Sequence, residues 1–111
     1  MNDLEVIDYQ AGGEYLPPGE IEGLGRVMLS RIRASGQISP HTDEGKYARE
    51  FKRFHWVLET NDKCLFFAGK ESVRMARGEI WWVDNLVTHG IINGPAPRTH
   101  VVFDARSYVT H

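Results

Sequence analysis

The chain has 111 residues, a formal net charge of −2 and 41% hydrophobic residues, which fits one domain with a modest core. The acidic balance argues against nucleic-acid binding, because the basic residues are scattered and Arg26, Arg31 and Arg33 are the nearest approach to a cluster. The single cysteine, Cys64, rules out an internal disulfide, and no apolar run approaches membrane-spanning length.

The segment Met1-Asn2-Asp3-Leu4-Glu5 has neither a basic n-region nor an apolar h-region. No secretory signal is therefore expected, and a reducing, cytoplasmic setting is. Leu4 to Asp8 can form a short strand, while Gly12-Gly13 and Pro17-Pro18-Gly19 read as loop. Residues 1–23 are expected to wrap the main body. Strand patterning begins at Leu24 and runs to Arg33, breaks at Ser35-Gly36, and resumes from Gln37 to Asp43. The polar stretch Glu44 to Lys52 suits one or two helical turns or a loop.

Arg53 to Thr60 returns to strand and ends at the turn dipeptide Asn61-Asp62. Lys63 to Ala68, with Cys64 packed inside, Ser72 to Ala76 and Ile80 to Val83 follow as strands. Asp84 and Asn85 predict a turn with an Asx hydrogen bond, and Trp81 and Trp82 read as core. Leu86 to Ile92 is closed by Asn93-Gly94-Pro95, and Thr99 to Asp104 is the last clear strand. About eight short strands without a helical period predict an all-β sandwich or barrel. A double-stranded β-helix, the cupin-like jelly roll, accommodates that count in one domain over 1–111.

The chemistry concentrates in Pro40-His41-Thr42-Asp43. In an extended strand, His41 and Asp43 leave the same face. His89 follows later, then Arg98 at the head of an apolar run. Two histidines and one carboxylate that leave coordination positions open are the ligand set of a non-haem Fe(II) oxygenase. An arginine fork nearby can clamp a carboxylate. The same period places Arg53 with His55 on one face of their strand, opposite Phe54 and Trp56. It also places Arg98, His100 and Val102 opposite Thr99, Val101 and Phe103. A solvent-facing strand produces the same alternation, so each pair alone has an ordinary surface explanation.

Taken in order, several strings together resemble the aspartyl/asparaginyl β-hydroxylase family. They are Pro40-His41-Thr42-Asp43, Arg53-Phe54-His55, Gly78-Glu79-Ile80-Trp81-Trp82-Val83-Asp84-Asn85, His89, and Arg98-x-His100-Val101-Val102-x-Asp104. The resemblance spans about Gly36 to Asp104. It implies an Fe(II)- and 2-oxoglutarate-dependent dioxygenase on a double-stranded β-helix, which uses molecular oxygen to hydroxylate an amino-acid, peptide or protein substrate. By that resemblance, His41, Asp43 and His89 would be the catalytic metal ligands and Arg98 would pair with the distal carboxylate of 2-oxoglutarate. Arg53 and His55 would lie on a strand that also meets the co-substrate.

The chain is short for that family. A free amino-acid hydroxylase, such as one acting on proline, and a non-catalytic cupin-like binding module are the competing expectations. A classical metal cupin would pair histidines with a following glutamate, a pattern the sequence lacks. A nucleic-acid-binding barrel would need a basic groove. Either sheet edge of so short a jelly roll is open to pairing with another chain.

Overall fold

A computed structural model describes residues 7–9, 13–16 and 19–110. Among them are ten strands, all antiparallel, in two sheets, with one five-residue helix. The strands are β1 (Ile7–Tyr9), β2 (Gly13–Leu16), β3 (Gly19–Ile32), β4 (Gln37–His41), β5 (Lys52–Glu59), β6 (Leu65–Ala68), β7 (Glu71–Val73), β8 (Ile80–Val83), β9 (His89–Ile92) and β10 (Arg98–Thr110). The helix is α1 (Lys46–Glu50). The larger sheet has the order β1-β2-β8-β5-β10-β3, and the smaller one β4-β9-β6-β7.

The eight strands from β3 onward pair as a nested set. β3 lies beside β10, β4 beside β9, β5 beside β8, and β6 beside β7. This is the pairing of one long hairpin folded over so that alternate stretches fall in opposite sheets. The innermost turn follows β6 (Leu65–Ala68), where Gly69 takes φ 59°, a left-handed backbone that glycine adopts without a Cβ clash.

Several boundaries differ from the sequence expectation. Gly13 and Gly19 begin strands instead of lying in loops, and β3 starts five residues before Leu24. Its first half is held by the C-terminal half of β10, from Ile21 against Tyr108 to Gly19 against Thr110, a distant partner that local turn chemistry cannot reveal. Within residues 1–23, β2 extends the larger sheet along β8. The Leu4–Val6 part of the first expected strand, and Gly12, Pro17 and Pro18, lie outside the described residues. The strand expected to reach Asp43 ends at His41, the one expected from Leu86 starts at His89, and the one expected over Ser72–Ala76 is Glu71–Val73.

The turns hold as read. Asn61 accepts the Lys63 amide at 3.2 Å, and Asp84 Oδ1 accepts the Leu86 amide at 3.1 Å, both Asx turns.

Apolar packing lies on both faces of the larger sheet. Between the sheets, Val57, Trp81 and Val83 meet Cys64, Phe66, Ala68, Met75 and Ile91. On the outer face, Phe54 and Ala105 pack with Ile80, Trp82, Phe103 and Tyr108, and the Phe54 and Phe103 rings stack at 5.3 Å. Trp81 and Trp82 thus serve different cores. The helix α1 sits against β3 at Gly25, where a Cβ would come within 2.6 Å of the Tyr47 hydroxyl. No helix among the described residues is long and apolar enough to cross a membrane.

Candidate metal centre and anion pocket

The outer aromatic cluster fixes which way β5 and β10 face. With Phe54, Trp82 and Phe103 turned outward, Arg53 and His55 on β5 and Arg98, His100, Val102 and Asp104 on β10 turn inward. Cross-strand pairing sets Asp104 opposite Arg53 and Val102 opposite His55. The polar face is therefore the inner one, the reverse of an ordinary solvent-facing strand.

A cavity of about 440 Å³ opens between the sheets. Its walls include Met28 to Arg31 of β3, Ile38 and His41 of β4, Arg53 and His55 of β5, Phe66 of β6, His89 to Ile91 of β9, and Arg98 and Val102 of β10, together with Asp43. All six residues singled out from the sequence line it: His41, Asp43, His89, Arg98, Arg53 and His55.

His41 and His89 are direct partners across β4 and β9, with ring centroids 4.5 Å apart. Each Nδ1 lies on a backbone carbonyl two residues earlier, His41 on Ser39 at 2.8 Å and His89 on Val87 at 2.7 Å. A carbonyl only accepts, so each Nδ1 carries a proton and Nε2 is the nitrogen left to meet a metal. Asp43 lies past the end of β4, where its amide donates to the Asn85 carbonyl at 2.8 Å. This bond brings the carboxylate to the histidines in place of the strand alternation expected of it. Asp43 Oδ1 is 3.7 Å from His41 Nε2. One ligand atom from each of His41, Asp43 and His89 lies within 4.8 Å of the other two, so the three could hold a metal ion.

Arg53 is held largely by neighbouring carboxylates. Its Nε and Nη2 donate to the two oxygens of Asp104 at 2.8 and 2.9 Å, and Nη1 reaches Asp43 Oδ2 at 3.5 Å. The hydrogen bond to Asp104 raises the Arg53 pKa above its ordinary value, against the opposing effect of burial. Tyr47 of α1 donates its hydroxyl proton to Asp104 Oδ2 at 3.0 Å and accepts the Arg26 amide at 2.9 Å. A chain of polar contacts thus runs from the helix to the carboxylate of the triad.

Arg98 is 1% exposed. Among the described residues its oxygen acceptors are Ser30 O at 3.3 Å and Ser30 Oγ at 3.4 Å, both long and both on Nη1. Nε and Nη2 are buried without a partner among the described residues. Burial lowers the guanidinium pKa to about 10, opposed by the adjacent Cys64 thiol, so the group stays cationic at neutral pH. Beside it, His55 and His100 meet Nδ1 to Nδ1 at 2.9 Å. Burial holds His55 well below the ordinary imidazole value, and it pushes His100 down to about 3.

Sequence reasoning did not assign roles to Asp104, Tyr47, Ser30 or the Cys64–Arg98 contact. Of these, only Asp104 had a signal, as the continuation of the 98, 100, 102 alternation. The family model described as Aspartyl/Asparaginyl beta-hydroxylase matches residues 17–107, a span that contains every residue of the site.

Proposed function

Since the chain belongs to the aspartyl/asparaginyl beta-hydroxylase family, we propose that it is an Fe(II)- and 2-oxoglutarate-dependent dioxygenase. Its substrate would be an amino-acid side chain presented by a peptide or protein. The observation that carries the reading is Arg98, a buried cation with two orphaned donors that lines the same cavity as the His41–Asp43–His89 group. Burying such a group without acceptors is costly, and a carboxylate satisfies it through charge-assisted, two-pronged bonding.

The donor set fits iron. Two imidazole nitrogens and a carboxylate that leave other positions open suit non-haem Fe(II). The charges fit the co-substrate. A divalent ion on Asp43 leaves one net positive charge, Arg98 supplies a second, and Arg53 and Asp104 offset each other, so a dicarboxylate dianion balances the cavity. The nested pairing of β3 to β10 supports the jelly-roll form of the all-β fold.

When bound, the iron would supply the oxidative chemistry, coupling decarboxylation of 2-oxoglutarate to succinate with insertion of oxygen into an unactivated C–H bond. His41 and His89 present Nε2 because their Nδ1 protons are committed to Ser39 and Val87. Arg53 steers Asp43 from Oδ2, which leaves Oδ1 on the histidine side. Arg98 orients the distal carboxylate, with His55 beside it. Phe66, Ile91 and Val102 line the cavity with apolar surface that limits water.

The test is anaerobic. Fe(II) and 2-oxoglutarate added to metal-free protein should give the visible charge-transfer band of the chelate, and His41→Ala and Arg98→Ala should not. Folded wild-type protein that forms no band overturns the reading. Succinate release with Asp- or Asn-containing peptides, set against free amino acids, then distinguishes a side-chain hydroxylase from a free amino-acid hydroxylase. A band without succinate from any substrate would instead indicate a binding module.

A further inference from the structure

His55 and His100 face inward from the neighbouring strands β5 and β10, Nδ1 to Nδ1 at 2.9 Å with their rings at 89°. Both are buried, and burial keeps both imidazoles neutral at physiological pH. Two neutral imidazoles in this contact share one proton, so one Nδ1 donates and the other accepts.

The two arrangements differ in consequence. His55 lines the main cavity, whereas His100 backs onto a void of about 10 Å³ behind Arg98 and Cys64. With Nδ1 of His55 engaged by His100, Nε2 is the nitrogen left for the cavity. If His55 donated through Nδ1, its Nε2 would aim a lone pair at whatever anion Arg98 and the metal ligands draw in. In a site with little water, that opposition is expensive. If His100 donates, His55 carries its proton on Nε2 and offers a donor.

We infer that His100 donates its Nδ1 proton to His55 Nδ1 and so fixes His55 as the Nε2–H tautomer, a hydrogen-bond donor to the bound dicarboxylate. His100 is thus a positioning residue that acts through His55. This rests on the dicarboxylate reading of the cavity given above.

The first test needs no turnover. In wild-type protein with ¹⁵N-labelled histidine, loaded with diamagnetic Zn(II) and 2-oxoglutarate, imidazole ¹⁵N resonances at neutral pH should show His55 protonated at Nε2 and His100 at Nδ1. His55 protonated at Nδ1 overturns the inference. The second test measures 2-oxoglutarate affinity in Mn(II)-loaded protein. His100→Leu should raise the dissociation constant by about tenfold or more, as loss of an orienting partner does, without a matching loss of metal affinity.

His100→Asn, whose amide places a donor where Nδ1–H stood, should recover most of the binding. Equal losses in the two variants, with the His55 tautomer unchanged in both, would mean that His100 only fills space, and would overturn the role. Wild-type protein that binds Mn(II) but no 2-oxoglutarate would overturn the role together with the co-substrate reading beneath it. Failure of the inference alone has a different signature, namely tight 2-oxoglutarate binding with His55 protonated at Nδ1.

Discussion

Replacing a fully buried residue normally destabilises a protein, but Arg98→Met should do the opposite in the metal-free state. Among the described residues, Arg98 has two buried donors without partners and two long bonds to Ser30. Each unmade buried donor costs about 1–3 kcal/mol, and more when charged, so removing two relieves about 2–6 kcal/mol. Against this stand about 1 kcal/mol for the weak Ser30 bonds and a smaller loss of packing, because methionine keeps an unbranched stem. The net expectation is about 1–4 kcal/mol of added stability at neutral pH, the direction seen when buried charges give way to apolar groups. For a domain of this length that is a rise of several degrees in Tm. Urea denaturation of metal-free wild type and Arg98→Met at pH 7 measures it. In protein already loaded with metal, adding 2-oxoglutarate at about 100 times its Kd should then stabilise wild type by about 2.7 kcal/mol and leave the variant nearly unmoved, closing most or all of the gap between them. A variant less stable than wild type without ligand would refute the reasoning, because it would mean that the guanidinium is already satisfied.

Arg98→Lys should also lose 2-oxoglutarate affinity, by about tenfold or more, since a point charge cannot replace the two-pronged fork; titration of the chelate band measures it. The buried histidines predict acid sensitivity. The folded pKa of His100 is depressed to about 3, so between the unfolded value near 6.5 and that limit the unfolded chain binds the proton and the folded one does not. Stability is therefore full above about pH 6.5 and falls with acidification, by about 2 kcal/mol from pH 7 to pH 5 for His100 alone; denaturation of His100→Asn at the two pH values should show a correspondingly smaller drop. Asp104→Asn leaves Arg53 facing a neutral amide and should cost about 2–4 kcal/mol in urea denaturation. It should also weaken metal binding by about tenfold, because Asp43 loses its steering. Asn93→Ala should cost about 2–3 kcal/mol by the same assay, since Asn93 Nδ2 serves the carbonyls of Ile32, Arg33 and Ala96 at 3.2, 3.0 and 2.9 Å.

Period-two spacing was enough to group Arg53 with His55 and Arg98 with His100, and turn chemistry located Asn61 and Asp84. It could not say which face points inward, because a polar interior and a polar exterior give the same alternation. The stacked rings of Phe54 and Phe103 look like core in either case, and only the second sheet behind Val57 and Trp81 decides it. His41 and Asp43 converge as expected, but for a different reason: Asp43 has left the strand and is tied to Asn85, a contact across 42 residues. The same limit hid Tyr47 and Asp104, which meet across 57 positions, and the Asn93 amide, whose acceptors lie up to 61 positions away. Local patterns carry no information at such separations. From the sequence, Arg98 is expected to clamp a carboxylate, but nothing there signals its shortage of protein acceptors, because unsatisfied donors become visible only when every neighbour is in place.

The strand β10 is hydrogen-bonded on both flanks, to β3 and β5, while β4 is the edge of its own sheet. Arg98, His100 and Asp104 therefore ride on a strand that opens only when the larger sheet comes apart. His41 sits at the end of a strand that can fray, with Asp43 on the loop beyond it. Opening the pocket at Arg98 would therefore cost more than opening it at His41 and Asp43, because an interior strand opens less readily than an edge strand. An ion held by His41, Asp43 and His89 would act as a staple between a peripheral strand and its neighbour, so that loading the site and rigidifying that edge are one event.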